Sequence, residues 1–257
     1  MAYDLTGRIA LVTGGESGIG KACAAALAKA GADVAILYHS KEDRGLDTKA
    51  EVEAHGRRAC LVQADVGAEP DVERAFDAAS AALGKPDILV NSAGLNMSGV
   101  PVREMGLDQW DRVVRTDLTG TFLTCRRFAR DHARGSAAIV NITSIHQWAV
   151  RQGAADYVAA KAGQGAFTRN LALELAERGI TVNAIAPGMV LTPMNQEAVE
   201  DEERRREQES HIPMKRAARP EEIADVAVFL ASPAAAYITG AVITVDGGLS
   251  LVIAPGA

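Results

Sequence analysis

The chain has 257 residues, 48% of them hydrophobic and 23% charged, with three cysteines and a formal net charge of −6 at pH 7. That apolar fraction excludes a disordered chain, and three scattered thiols exclude a disulfide scaffold. The acidic balance, with no block of Lys and Arg set among aromatics, argues against a nucleic-acid surface, and no apolar run reaches the ~18–20 residues of a membrane span. Residues 1–8 lack the charged-then-apolar pattern of a signal peptide, so a cytoplasmic protein without nucleic-acid or membrane partners is expected.

In chain order, seven apolar or β-branched runs read as strands: Ile9–Val12, Val34–Tyr38, Ala59–Gln63, Ile88–Asn91, Ala138–Ile142, Thr181–Ala186 and Ala241–Val245. Between them, segments of helical period cover Gly18–Ala30, Lys41–His55, Glu69–Leu83, Leu107–Arg134, Ala154–Arg178 and Pro220–Ala231. Strands that are apolar throughout suit a sheet covered on both faces. Repeated strand–helix units with short links require right-handed crossovers and a parallel sheet. The expectation is an α/β fold: one domain over 1–257 with a doubly wound sheet of seven parallel strands, favoured over an eight-stranded barrel. The stretch 191–212 breaks the rhythm. Its run from Glu200 reads either as a solvated helix laced by i,i+4 ion pairs or as a substrate lid, and both readings are compatible.

After the first strand comes Thr13-Gly14-Gly15-Glu16-Ser17-Gly18-Ile19-Gly20, directly before a helix. A strand-to-helix turn of this kind points free N–H groups and a positive helix end at an anion, with glycine wherever the backbone must approach closely. The context is that of a dinucleotide fingerprint.

The spacing TGxxxGIG resembles that of the short-chain dehydrogenase/reductase family. The resemblance continues through Asn91-Ser-Ala-Gly, Ser144, Tyr157-Val-Ala-Ala-Lys161, Pro187-Gly188 and Asp246-Gly-Gly. It implies a single-domain Rossmann fold, usually assembled as a homotetramer, and a nicotinamide cofactor. The cofactor residues it implies are Gly14, Glu16, Ser17, Gly18, Ile19, Gly20, His39, Ser40, Asp65, Val66, Asn91, Ala93, Gly94, Tyr157, Lys161, Pro187, Gly188, Val190 and Thr192. The end of the second strand, Leu37-Tyr38-His39-Ser40-Lys41, carries no carboxylate to repel a 2′-phosphate. NADP(H) is therefore favoured, with NAD(H) or dual use open, since Glu16 stands where NADP-preferring relatives often carry a base.

Tyr157 and Lys161 are one helical turn apart and share a face. A free phenol, with a pKa near ~10, is a poor acid or base at neutral pH, and a nearby ammonium brings it toward a useful range. Ser144 follows the fifth strand. By resemblance, Tyr157 exchanges the proton of the carbonyl or alcohol oxygen, Ser144 hydrogen-bonds that oxygen, and Lys161 binds the nicotinamide ribose. One departure stands at Asp117, where relatives usually have an Asn that helps hold a water in the proton relay. A carboxylate accepts from water but, when ionised, does not donate as an amide does. It could also sit near Lys161 and stabilise its charge, or be partly protonated if buried, and a working relay with altered pH dependence is expected.

The cysteines and histidines match no metal spacing, and no metal is expected. His146, two residues past Ser144, is a candidate for the substrate pocket, as are Trp148 and Met189. The apolar tail Leu249–Ala257 lies in a region that family tetramers place between subunits. Tyr38-His-Ser-Lys-Glu-Asp, Thr143-Ser-Ile-His-Gln, Thr192-Pro-Met-Asn, Ile212-Pro-Met and Pro220-Glu-Glu-Ile resemble the glucose 1-dehydrogenase branch. That likeness implies a sugar, polyol or small ketone as the substrate. The alternative is a 3-oxoacyl carrier-protein reductase, which would want a basic patch near the entrance from Arg126, Arg127, Arg130 and Arg169. A dinucleotide sensor without turnover is disfavoured by the intact Ser144, Tyr157 and Lys161.

Overall fold

Strands and helices alternate along the chain. The strands are β1 (Ile9–Thr13), β2 (Asp33–Tyr38), β3 (Ala59–Gln63), β4 (Ile88–Asn91), β5 (Ala137–Ile142), β6 (Ile180–Pro187) and β7 (Val242–Val245). The helices are α1 (Gly18–Lys29), α2 (Glu42–Ala54), α3 (Glu69–Leu83), α4 (Leu107–Val114), α5 (Gly120–Asp131), α6 (Ala155–Leu175), α7 (Glu202–Ser210) and α8 (Pro220–Ala231). The computed structural model describes residues 3–132, 135–195 and 200–252.

All strand pairs are parallel, in the order β3-β2-β1-β4-β5-β6-β7. The sheet is open, with β3 and β7 at its edges, which rules out a closed barrel. Successive side chains on a strand point to opposite faces. In β2, Val34 and Ile36 therefore join α1 and α8 on one side, while Ala35 and Leu37 join α3 on the other. β4 divides in the same way, with Ile88 and Val90 on the first side and Leu89 on the second. Two covered faces explain why the strands read as unbroken apolar runs. Truncating a fully buried member such as Leu11 or Ile139 to Ala costs about 2–5 kcal/mol.

Strand order reverses between β1 and β4, which leaves a crevice beyond their C-terminal ends. The last residues of these strands, Thr13 and Asn91, are register partners. Thr13 Oγ1 accepts hydrogen bonds from the N–H groups of Ser92 and Ala93, both at 3.1 Å, so one hydroxyl fastens the loop after β4 to the end of β1.

The expected single helix over Leu107–Arg134 is interrupted. A π-helical turn, Arg115–Thr119, separates α4 from α5, and Arg134 lies outside the described residues. Such bulges project one residue out of the helical register. Asp117 lies at the centre of this one, and its carbonyl accepts from Thr121 Oγ1 at 2.7 Å and Gln164 Nε2 at 2.9 Å. α6 passes into a 3₁₀ turn at Ala176–Arg178 and is ended by Gly179 at φ +73°, a left-handed position that suits glycine. In the 191–212 stretch, Pro193–Asn195 forms a 3₁₀ turn and α7 buries no residue, while 196–199 lie outside the described residues. No helix among the described residues is long and apolar enough to cross a membrane.

Asp33 ties the start of β2 to the residues before β3. It accepts from the Arg58 N–H at 3.0 Å and from Arg58 Nε at 2.7 Å, and pairs with Arg57 at 2.7 Å. Burial pushes its carboxyl up, but the Arg58 hydrogen bonds and the Arg57 charge outweigh burial and hold it below the usual carboxylate range. A lowered folded value stabilises the protein above the unfolded value and is lost as pH falls through the folded one. Asp33→Asn is therefore expected to cost about 1–3 kcal/mol at pH 7, read as a lower urea midpoint. The gap from wild type should close as both are titrated below pH ~3.

Candidate active site

The turn after β1 is shaped by steric necessity. Gly14 has φ +61°, and a Cβ there would lie 2.9 Å from the Ala93 Cα; a Cβ on Gly20 would lie 2.1 Å from the Gly14 carbonyl oxygen. Only hydrogen atoms fit at both places, which lets α1 begin directly under the turn. No side chain caps α1 at Ser17, so its first N–H groups stay available to an anion.

A cleft of about 900 Å³ runs across the C-terminal ends of the strands. It gathers the residues expected at a dinucleotide from every motif: Gly14, Glu16, Ser17, Gly18 and Ile19 from the turn, and His39 and Ser40 after β2. Asp65 and Val66 after β3, Ala93 and Gly94 after β4, and Pro187, Gly188, Val190 and Thr192 after β6 complete it. Ser144, Tyr157, Lys161, His146 and Met189 line the same space. Gly20 and Asn91 contribute no surface to it. Gly20 packs beneath the turn, and Asn91 is a buried strut whose Nδ2 donates to Asn141 Oδ1 at 2.9 Å while its Oδ1 accepts from Thr124 Oγ1 at 2.7 Å. Trp148 also stands apart: it is 46% exposed and lies outside the cleft lining.

Ser144 follows β5 and opens a 3₁₀ turn, Ile145–Gln147. Its Oγ accepts from the His146 N–H at 3.1 Å, which leaves the hydroxyl proton free to donate to a third group. Tyr157, on the first turn of α6, is mostly buried. Lys161 sits one turn further on, with Nζ 5.4 Å from the centroid of the Tyr157 ring. Lys161 is buried, with 4% of the residue exposed. It donates to the Ile142 carbonyl at 3.3 Å and forms an ion pair with Asp117 Oδ2 at 3.0 Å.

Asp117 is fully buried, directly beneath the cleft floor. Its Oδ1 accepts from the Leu95 N–H at 2.7 Å, and among the described residues Oδ2 has only the ion-pair contact with Lys161. Burial pushes the Asp117 carboxyl above its ordinary range, opposed by the Lys161 ammonium and the Leu95 N–H. Burial also works against the charge on Lys161, but the Asp117 carboxylate overcomes it and raises the ammonium above its ordinary value. Gly94 closes over the pair: a Cβ there would lie 2.9 Å from Asp117 Oδ2 and 3.4 Å from Lys161 Nζ.

Two supporting residues carry no motif. Asp156, fully buried, accepts from the Tyr157 N–H at 2.8 Å and from Gln109 Nε2 at 2.9 Å. Gln109 also donates to the Met97 carbonyl at 3.0 Å, so α4 and the loop after β4 are bound to the start of α6. The only sequence signal for this was an acid immediately before Tyr157. Arg126, Arg127 and Arg130 form no basic entrance. They pair with Glu69, with Glu73, Asp77 and Asp131, and with Glu73 respectively, and neither they nor Arg169 line the cleft.

A family model described as Enoyl-(Acyl carrier protein) reductase matches residues 14–250. The chain is 42% identical over 254 residues to 3beta-hydroxysteroid dehydrogenase 1 of Eggerthella lenta, covering 98% of this chain and 97% of that one. It is 38% identical over 255 residues to glucose 1-dehydrogenase 2 of Bacillus subtilis, covering 98% of each. A solved short-chain dehydrogenase/reductase from Serratia marcescens superposes with a TM-score of 0.90 at 33% identity, over 96% of this chain and 100% of that one. A structure from Agrobacterium tumefaciens solved with bound NADP superposes with a TM-score of 0.88 at 36% identity, over 97% and 98%.

Removing one partner of a buried ion pair strands the other charge. Asp117→Ala is expected to lower stability by about 3–5 kcal/mol, measured by urea unfolding. Asp117→Asn keeps the shape but removes the charge that holds Lys161 protonated. The alkaline limb of the rate–pH profile is then expected at lower pH, by about one unit or more.

Proposed function

Because the chain belongs to the short-chain dehydrogenase/reductase family, we propose that it transfers a hydride between a nicotinamide cofactor and a small carbonyl or alcohol compound, a sugar, polyol or small ketone. The observation that carries this reading is the convergence of Ser144, Tyr157 and Lys161 on the same cleft as the glycine turn. The cradle suits a dinucleotide: Gly14, Gly20 and Gly94 leave no room for side chains, and the uncapped start of α1 faces the space a pyrophosphate would fill. When bound, the nicotinamide supplies or takes up the hydride.

The chain's own residues handle the oxygen and its proton. Tyr157 donates its hydroxyl proton to the carbonyl oxygen in reduction and accepts the alcohol proton in oxidation. Ser144, with its lone pair engaged by the His146 N–H, donates its hydroxyl proton to that same oxygen and stabilises the charge that develops there. Lys161, held charged by Asp117, binds the nicotinamide ribose and sets the field around Tyr157. Met189 and His146 wall the substrate side, and 191–212 acts as the lid, supported by the cleft-facing positions of Met194, Asn195, Gln208 and His211.

We favour NADP(H) over NAD(H). The support is that His39 and Ser40 line the cleft after β2, whereas Glu42, the first carboxylate beyond them, does not. Homotetrameric assembly belongs to the same proposal and rests on apolar side chains left in solvent on α5 and α6, Phe122 at 41% and Leu173 at 81% exposure. Residence in the cytoplasm rests on three unpaired cysteines.

Purified protein is expected to oxidise NADPH in the presence of small ketones, followed at the nicotinamide absorbance. Tyr157→Phe should lower kcat by roughly 10²–10⁴-fold while nucleotide binding is retained. Tight nucleotide binding without turnover over a broad panel would instead identify a sensor. Ser40→Asp should raise the KM for NADPH about tenfold or more and leave that for NADH far less affected.

A further inference from the structure

His146 has one ring nitrogen committed and one free. Its Nδ1 lies 2.6 Å from the Ala149 carbonyl oxygen. A carbonyl only accepts, so Nδ1 carries the proton, and in the neutral ring Nε2 carries the lone pair. Nε2 has no partner among the described residues, on a side chain that lines the cleft. Burial, reinforced by the Arg151 charge and opposed by the Ala149 carbonyl, holds the imidazole below its ordinary value, so the ring is neutral at pH 7. The ring stands edge-on to Tyr157 with centroids 6.1 Å apart, and the His146 main-chain N–H donates to Ser144 Oγ. The cleft therefore presents two hydroxyl donors, from Ser144 and Tyr157, for one substrate oxygen and a fixed acceptor beside them. Leu95, Met189 and Ile212 supply apolar wall on the same cleft.

We propose that His146 Nε2 accepts a hydrogen bond from a second hydroxyl of the substrate, on the carbon next to the reacting one, so that the enzyme selects 2-hydroxy ketones and the vicinal diols they form. This rests on the oxidoreductase reading above and narrows its substrate class. Reduction converts the ketone carbon to an alcohol by hydride from the nicotinamide and a proton from Tyr157. The neighbouring hydroxyl is unchanged and serves only for recognition. A site arranged to bind a hydroxyl discriminates against an analogue that lacks it, because the half-buried acceptor then loses its substrate partner.

The test is a ratio of kcat/KM values for two ketones of nearly the same shape, 3-hydroxybutan-2-one and 3-methylbutan-2-one, at pH 7.5 with saturating NADPH. The hydroxy ketone is intrinsically more reactive, so the informative quantity is the ratio in wild type divided by the ratio in His146→Phe. That quotient is expected at roughly 10- to 100-fold, with His146→Gln recovering part of it. His146→Leu, smaller and equally without an acceptor, gives the same reading if the Phe variant does not fold. Equal ratios in wild type and the apolar variant, with both ketones reduced, would overturn the role of His146 and leave the oxidoreductase reading standing. No turnover of either ketone with either nicotinamide would overturn both.

Discussion

A buried lysine needs a counter-charge, and the architecture around Lys161 is organised to supply one. An isolated buried ammonium gives up its proton rather than remain charged. Asp117 prevents this from 3.0 Å away, carried on the π turn Arg115–Thr119 that separates α4 from α5. The Asp117 carbonyl accepts in turn from Gln164 and Thr121. The irregular turn, the buried pair and the long helix bearing Tyr157 form one mechanical unit.

That unit continues into the sheet. Gln164 is followed by Thr168, whose Oγ1 donates to the Gln164 carbonyl and accepts from Asn141 on β5. Asn141 receives Asn91 from β4, and Asn91 receives Thr124 from α5. A run of buried amides and hydroxyls through an otherwise apolar sandwich tolerates little error, since an unmade hydrogen bond there costs more than a made one contributes. Paired throughout except at the buried Gln164 Oε1, it fixes the relative placement of β4, β5, α5 and α6, the elements that carry or support the proton-handling groups.

The strands could be read from sequence nearly to the residue, because covered parallel strands leave continuous apolar runs; their order in the sheet comes from the structure. α3 and α8 match their expected spans for a similar reason: each has proline in its first turn. The glycine turn and the Tyr157–Lys161 pair were legible because their spacing alone fixes their geometry. The π turn was not, since a bulge is decided by tertiary contacts and leaves no periodic trace. The Asp117–Lys161 contact joins positions 44 residues apart in the chain; it stood among the readings open at Asp117 on charge alone, and periodicity could not choose between them. Asn91 was assigned to the cofactor by its motif, yet its side chain points into the sheet, because a strand's last residue can serve either the crevice or the core. The arginines of α5 looked like an entrance patch, but the acids of α3 neutralise them from across the helix interface.

The clearance between Gly14 and Gly20 has a further consequence. Because main chain rather than side chains sets the contour of that turn, it already exists before any nucleotide arrives. Little conformational freedom remains there to be lost on association, so the affinity contributed by phosphate contacts is spent on holding the ligand and not on assembling its seat.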